Sequence, residues 1–274
     1  MAGNGLAHNG HATSLENRAF ALTWRASLKL PAALRHSLHK RLEKIVLTDT
    51  VHRCGQSFRL SAAYRQRVWW ADAYENALCE WLARHTQTGD YILDVGAQIG
   101  CLSVFLGLLT GPAGHVDAVE PLLDNYLLLQ RNIADNQLEN IVTPHEACCD
   151  VHDGGVWLSA AHNTRTLNFD DVPVPVPALT VDGLALHHGR LDLLRIDTGG
   201  NELQVLQGAA IALRKFRPKL IITLYPPMAA EAVAFMTARD YHATDLCGQQ
   251  IWPGDLLLRA GNQDEPPFHT VFLP

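Results

Sequence analysis

Residues 91–109 read "YILDVGAQIGCLSVFLGLL". A short apolar run, Tyr91–Leu93, closes on an acid, Asp94; a turn containing Gly96 and Gly100 follows, and a second apolar run begins at Cys101. The first run has the length of a strand and the second that of a helix, so the stretch predicts strand, tight turn, helix. A dinucleotide fingerprint needs glycines at G-x-G-x-x-G, where the backbone meets a pyrophosphate at a helix N-terminus. Here the spacing is G-x-x-x-G and no Lys-Ser pair follows, which excludes both that fingerprint and a P-loop. An acid at a strand end before a close turn suits a small ligand without phosphate. The same spacing also serves plain packing of a helix on a strand.

Outward from this stretch the pattern alternates. Strands are expected at Tyr91–Val95, His115–Val119, Ile141–Cys149, Leu191–Ile196 and Lys219–Leu224, and near 242–247 and 255–259. Helices are expected at 100–109, 122–134, 201–214 and 228–239. Strands alternating with helices predict an α/β fold, a mostly parallel seven-stranded sheet with helices on both faces. Val172–Pro177, "VPVPVP", interrupts the rhythm; proline gives no ladder donor, so an edge segment or extended loop is expected, not a central strand. Upstream, residues 14–47 and 64–86 carry helical periodicity, which makes 14–88 an N-terminal helical cover over a core domain at 89–274. Residues 1–13, "MAGNGLAHNGHAT", have almost nothing to bury and are expected to form a disordered tail.

A parallel sheet of this kind binds ligands at the carboxyl ends of its strands. The second strand ends in "VDAVEP", where Glu120 can accept both hydroxyls of a ribose. Asp94, with an ammonium-holding carboxylate, and Glu120 together suggest a nucleoside bearing an amino-acid-like group and no phosphate. That describes S-adenosylmethionine.

Composition narrows the partners. The 274-residue chain is 47% hydrophobic with a net charge of −6, which gives no electrostatic case for nucleic acid. Six thinly spread cysteines without a CxxC pair argue against a zinc site and fit a reduced, cytoplasmic compartment. Adjacent Cys148 and Cys149 read as buried filler. The apolar stretch near Ile99–Leu109 is too short to span a bilayer, and the N-terminus has no secretory pattern, so no stable membrane insertion is expected. A basic face on "PAALRHSLHKRLEKIVL" (31–47) suits a solvated helix or one lying on a membrane.

Three blocks, "YILDVGAQIGCLSVFLGLL", "GHVDAVEPLLDNYLLLQRNIADNQLENI" and "LDLLRIDTGGNELQVLQGAAIALRKFRPKLII", resemble in that order the FkbM family of methyltransferases. The resemblance covers about residues 64–225. It implies a class I, Rossmann-like fold, S-adenosylmethionine as cofactor, and O-methylation of a sugar or specialised metabolite. It implies that Asp94, Gly96, Gln98, Gly100 and Glu120 contact the cofactor, Gln98 standing where the family commonly has Asn, and that Glu146 to Cys148 border the adenine. Two departures accompany it: "DTGGNE" has Gly199 where the family has Glu, and Thr223 stands at a strand end that the family closes with Glu. Both fall on the expected acceptor side and suggest a less polar acceptor; they also weigh against a strand-end metal, so none is expected.

Methyl transfer to an alcohol needs positioning and a base for the leaving proton. Asp197, ending the fourth strand, is the candidate base, with capping of the helix near Gly200 as its other possible role. Asp182 suits a turn or cap, and His187 and His188 read as surface residues. Trp69, Trp70, Thr223 and Tyr225 are candidate acceptor contacts, although aromatics at such positions are often core. The rival reading is a cofactor-binding member that has lost methyl transfer. An NAD oxidoreductase is disfavoured by the glycine spacing.

Overall fold

A computed structural model describes Leu34 and residues 46–63, 73–158, 174–224, 226–252 and 268–274. The expected tail at 1–13, almost all of the 14–45 segment, Trp69, Trp70, Tyr225 and the expected strand at 255–259 lie outside the described residues.

The described elements begin with a hairpin, β1 (Val46–Arg53) and β2 (Gln56–Ala63), then α1 (Ala73–His85), β3 (Tyr91–Val95), α2 (Cys101–Thr110), β4 (His115–Val119), α3 (Leu123–Asp135) and β5 (Val142–His145). Next come β6 (Cys148–Cys149), β7 (Gly154–Leu158), β8 (Val174–Leu179), α4 (Val181–His188), β9 (Leu193–Ile196), α5 (Glu202–Gln207), α6 (Ala210–Phe216), β10 (Lys219–Leu224), α7 (Pro226–Thr237), β11 (His242–Thr244) and β12 (Phe268–Leu273). Seven strands form one sheet in the order β11-β12-β10-β9-β3-β4-β5. β12 is antiparallel to both of its neighbours, and the other pairs are parallel. The expected α/β fold with a mostly parallel seven-stranded sheet is therefore the observed one.

Side chains alternate across a strand, so the sheet has two apolar faces, each buried. One face carries Ile92, Val116, Leu193 and Ile221 under α1, α2, α3 and β2. The other carries Leu93, Val95, Leu194, Ile196 and Ile222 under α4 to α7. Successive crossovers thus leave β3 on one side and β9 on the other. The strand order reverses between these two neighbours, which is where an open α/β sheet forms its crevice.

Four expectations are corrected. Residues 46–63, inside the segment read as helical, form a hairpin closed by Cys54 (φ 47) and Gly55 (φ 80), the positive φ pair of a two-residue turn. Its second strand buries Phe58, Leu60 and Ala62 at a period of two. α3 grips that strand's backbone: the Asn132 side chain bonds the N–H and C=O of Ser61 (2.6 and 2.9 Å), and Asn136, one turn on, bonds those of Arg59 (2.8 and 2.7 Å). Second, the strand expected over 141–149 divides: Val142–His145 stays in the large sheet, and Cys148–Cys149 enters a three-stranded sheet ordered β6-β8-β7. Third, the proline-rich segment is the middle strand of that sheet. Only Ala178 has partners on both sides, while Pro175 and Pro177 pair with β7 alone, so their missing donors face an open edge. Fourth, the second C-terminal strand is Phe268–Leu273.

Candidate functional site

The turn after β3 is held from three directions. Gly96 and Ala97 both donate to the carbonyl of Val119 at the end of β4 (2.9 and 3.0 Å). Gln98, in the left-handed region at φ 55, donates its N–H to Oε2 of Glu120 (2.9 Å). Asn132 Nδ2 donates to the carbonyl of Ile99 (2.7 Å). Gly96 has φ +83, and a Cβ there would sit 2.0 Å from the backbone oxygen of Asp197. Gly100, also at φ +83, would place a Cβ 2.4 Å from Leu129 Cδ1. Each glycine therefore has a packing reason of its own: Gly96 lets β3 close on β9, and Gly100 lets α2 start against α3. This packing reason stands beside the expected cofactor contact at Gly96.

Glu120 is 5% exposed. Besides Gln98, its carboxylate accepts the N–H of Leu122 and Nδ2 of Asn125 on Oε1, both at 3.1 Å. Burial pushes its pKa up to about 7, against the pull of these three donors. The carboxylate joins the glycine turn to the start of α3, and three of its four or so acceptor positions are in use.

Asp94 is fully buried, and its charge is compensated within the protein. Arg195 Nη1 donates to Oδ1 (2.9 Å) and Ser103 Oγ to Oδ2 (2.6 Å). Arg195 Nη1 also donates to the Gly96 carbonyl (2.8 Å), and its Nη2 to Oδ2 of Asp197 (2.9 Å). One guanidinium thus ties β3, the glycine turn and the end of β9 together. Asp197 is the accessible end of the row, its side chain 20% exposed against 0% for Asp94. Sequence reasoning misses Arg195. The available signal is a lone base within a buried apolar strand, a position that requires acids nearby.

Asp197 is not the N-cap residue of the helix that follows it. Helix α5 begins at Glu202 with Asn201 at its N-cap and no side-chain cap bond. The "DTGGNE" loop is instead closed by Glu202, whose Oε1 accepts from Thr198 N, Thr198 Oγ1 and Gly200 N (3.1, 2.9 and 3.0 Å). Burial raises the pKa of Glu202, and among the described residues its Oε2 has no hydrogen-bond partner. Asn201 Nδ2 donates to the Cys149 carbonyl (3.1 Å), which draws the small sheet toward this loop. Asp182 does act as a cap: its two oxygens accept the N–H groups of Ile211 and Ala212 at the start of α6 (3.0 and 2.6 Å).

Of the remaining expected residues, Glu146 is exposed between β5 and β6, and Cys148 is buried, its thiol pushed up to about 11 by burial. All six cysteines are free. Thr223 is buried and lies within 3.1 Å of His269 Nδ1 through its hydroxyl. His269 faces Thr223 directly across the β10–β12 pair, and sequence reading gives it no place because the last strand is expected elsewhere. β10 and β9 pair in parallel with Ile222 opposite Ile196. One residue on, Thr223 follows beside Asp197, so Asp197, Thr223 and His269 form a polar row at the crevice end of three adjacent strands.

The family model described as "Methyltransferase FkbM domain" matches residues 94–243. No curated protein matches the chain. Among solved structures, an FkbM methyltransferase from Methylobacillus flagellatus KT aligns at 18% identity and TM-score 0.44, covering 68% of this chain and 44% of that one. This chain thus spans less than half the length of that protein. Aeropyrum pernix fibrillarin with natively bound S-adenosyl-L-methionine aligns at 13% identity and TM-score 0.46, covering 83% of this chain and 82% of that one. An rRNA methyltransferase of T. thermophilus in complex with AdoMet and guanosine aligns at 13% identity and TM-score 0.48, covering 84% and 50%. The family match begins at the buried acid of β3 and ends within β11, taking in more than half of the chain and all of β4, β5, β9 and β10, and on it the chain belongs to the FkbM methyltransferase domain family.

Proposed function

We propose that the chain is an S-adenosylmethionine-dependent O-methyltransferase acting on a hydroxyl of a small molecule. The observation that carries the reading is the pair of strand-end carboxylates, Glu120 and Asp197, on either side of the glycine turn at the point where strand order reverses. The residues fit the cofactor. Glu120 keeps acceptor capacity for ribose hydroxyls beside its three protein donors. Gln98 presents its side chain from the same turn, and Glu146 and Cys148 follow the end of β5.

The cofactor supplies, when bound, an electrophilic methyl on a good leaving group. The chain's residues then do two things. They hold the acceptor hydroxyl in line, and positioning contributes most of the rate in such a displacement. They also receive the proton that leaves as the O–C bond forms. In this reading Asp197 takes that proton; the support for it is that Arg195 fixes one of its oxygens and that its partial exposure gives the proton a way out. Thr223 and His269 border the acceptor side of the same row. Trp69, Trp70 and Tyr225 remain candidate walls for it.

A second reading, a cofactor-binding member without methyl transfer, draws on the same arginine, because an acid engaged in an ion pair is a constrained proton acceptor. Calorimetry with S-adenosylmethionine, followed by an assay for S-adenosylhomocysteine across a panel of hydroxylated acceptors, separates the two. Binding with acceptor-dependent turnover supports the first reading, and binding without turnover on any acceptor supports the second. Absence of binding overturns both.

A further inference from the structure

Away from the crevice, three imidazoles converge on one buried carboxylate. In the β3–β4 register Asp94 pairs with Ala118 and Leu93 with Asp117, so alternation places Asp117 on the sheet face opposite Asp94. His115, two residues earlier on β4, shares that face; His145 arrives from the end of β5, and His188 from the last turn of α4. Nε2 of His145 lies 2.8 Å and Nε2 of His115 3.5 Å from Asp117 Oδ1, while Nε2 of His188 lies 3.5 Å from Oδ2. His188 is at the surface, as expected, yet its ring stacks on Tyr91 (3.9 Å between centroids) and beside His115 (4.8 Å).

Hydrogen bonding accounts for only part of this cluster. The His145 contact has normal length, but 3.5 Å is long for an N–H···O bond. Tetrahedral zinc with ligand bonds near 2.0–2.2 Å sets its ligand atoms about 3.3 Å apart; His115 stands near that distance from Oδ1 and His188 from Oδ2. We propose that His115, Asp117 and His188 bind a divalent first-row transition ion of the zinc type, with His145 hydrogen-bonded to Asp117 beside it. Two imidazole nitrogens and one carboxylate oxygen suit zinc and its neighbours and not magnesium or calcium. Three protein ligands leave the fourth tetrahedral position to water, and the ion joins α4 to β4. The Tyr91 hydroxyl donates to Asp117 Oδ2 and orients the ligating carboxylate, as groups behind metal ligands commonly do. The ligand atoms of His115, Asp117 and His188 lie within 4.8 Å of one another, so closure requires movement of about 1.5 Å. Asp117 is 4% exposed and held, whereas the side chains of His115 and His188 are 25% and 33% exposed and supply that movement. Each neutral ring ligates through Nε2 with its proton on Nδ1. No CxxC or HxxxH spacing announces the set, because His188 joins it from a separate element.

The test is equilibrium dialysis of the chelator-stripped full chain against Zn²⁺ alone, with cobalt(II) as a spectroscopic substitute. One ion per chain, a rise in melting temperature and a tetrahedral cobalt spectrum are expected. His115→Gln/His188→Gln should lose the stoichiometric ion, and Tyr91→Phe should weaken it by roughly 10-fold or more. His188→Gln alone, at an exposed site, should weaken uptake at least as much and serves if the double variant does not fold. Failure of the parent to take up one ion overturns the proposal, and so does uptake that His188→Gln leaves unchanged.

Discussion

At the scale of single residues, charge placement decides what the crevice can do. Glu120→Ala should weaken S-adenosylmethionine by about 1.5–3 kcal/mol, the range for hydrogen bonds to a charged group, as measured by calorimetry. Because the carboxyl of Glu120 titrates near 7 and ribose hydroxyls donate best to its ionised form, affinity should tighten as pH rises through about 7. A flat profile would remove it from the ribose. Asp197→Asn should lower turnover by about 10²–10⁴ with little change in cofactor affinity, since the amide keeps the shape and loses the base. Arg195→Met should behave differently. It leaves Asp94 buried without its cation, so denaturant unfolding should show a loss of about 3–5 kcal/mol.

At the scale of elements, the glycine turn offers an internally controlled test. Gly96 and Gly189 share the left-handed region, at φ +83 and +75, but a Cβ at Gly189 meets nothing within 4 Å. Gly189→Ala should therefore cost only the conformational strain, about 1–2 kcal/mol. Gly96→Ala should add collision with the Asp197 carbonyl and cost roughly 2–5 kcal/mol by chemical denaturation. Equal losses would mean that β9 yields and that the packing role is wrong. The same turn shows what sequence can and cannot reveal. β3, β4, β9 and β10 are legible because strands buried on both faces read as apolar runs, and Glu120 and Asp197 are legible because a parallel sheet puts strand ends at the crevice. The hairpin at 46–63 is not, since its neighbours' helical periodicity covers a short two-residue turn. The prolines of β8 point away from a central strand because their single open edge is a property of β6, which is only two residues long. Arg195 and His269 act through partners far along the chain, 101 and 46 residues away, and no local pattern encodes such pairs.

At the scale of the whole molecule, the buried acid Glu120 links stability to pH. Its folded pKa, about 7, lies above the ordinary 4.5, so the protonated form favours the folded state. That contribution is fully present below about 4.5 and is lost as pH rises through about 7, a difference of about 3 kcal/mol in the ligand-free protein. Urea unfolding at several pH values should show this slope in the parent and not in Glu120→Gln; parallel curves would contradict it. The sheet's order carries one more consequence. β12 follows β11 in the chain yet lies between β11 and β10. On the ribosome, β10 emerges with its outer edge bare, and β11 has no proper neighbour to join until residues 268–273 leave the exit tunnel. Synthesis at about 5–20 residues per second leaves "KLIITL" a waiting, sticky border for a second or more, so nascent-chain survival depends on what shields that border in the interval.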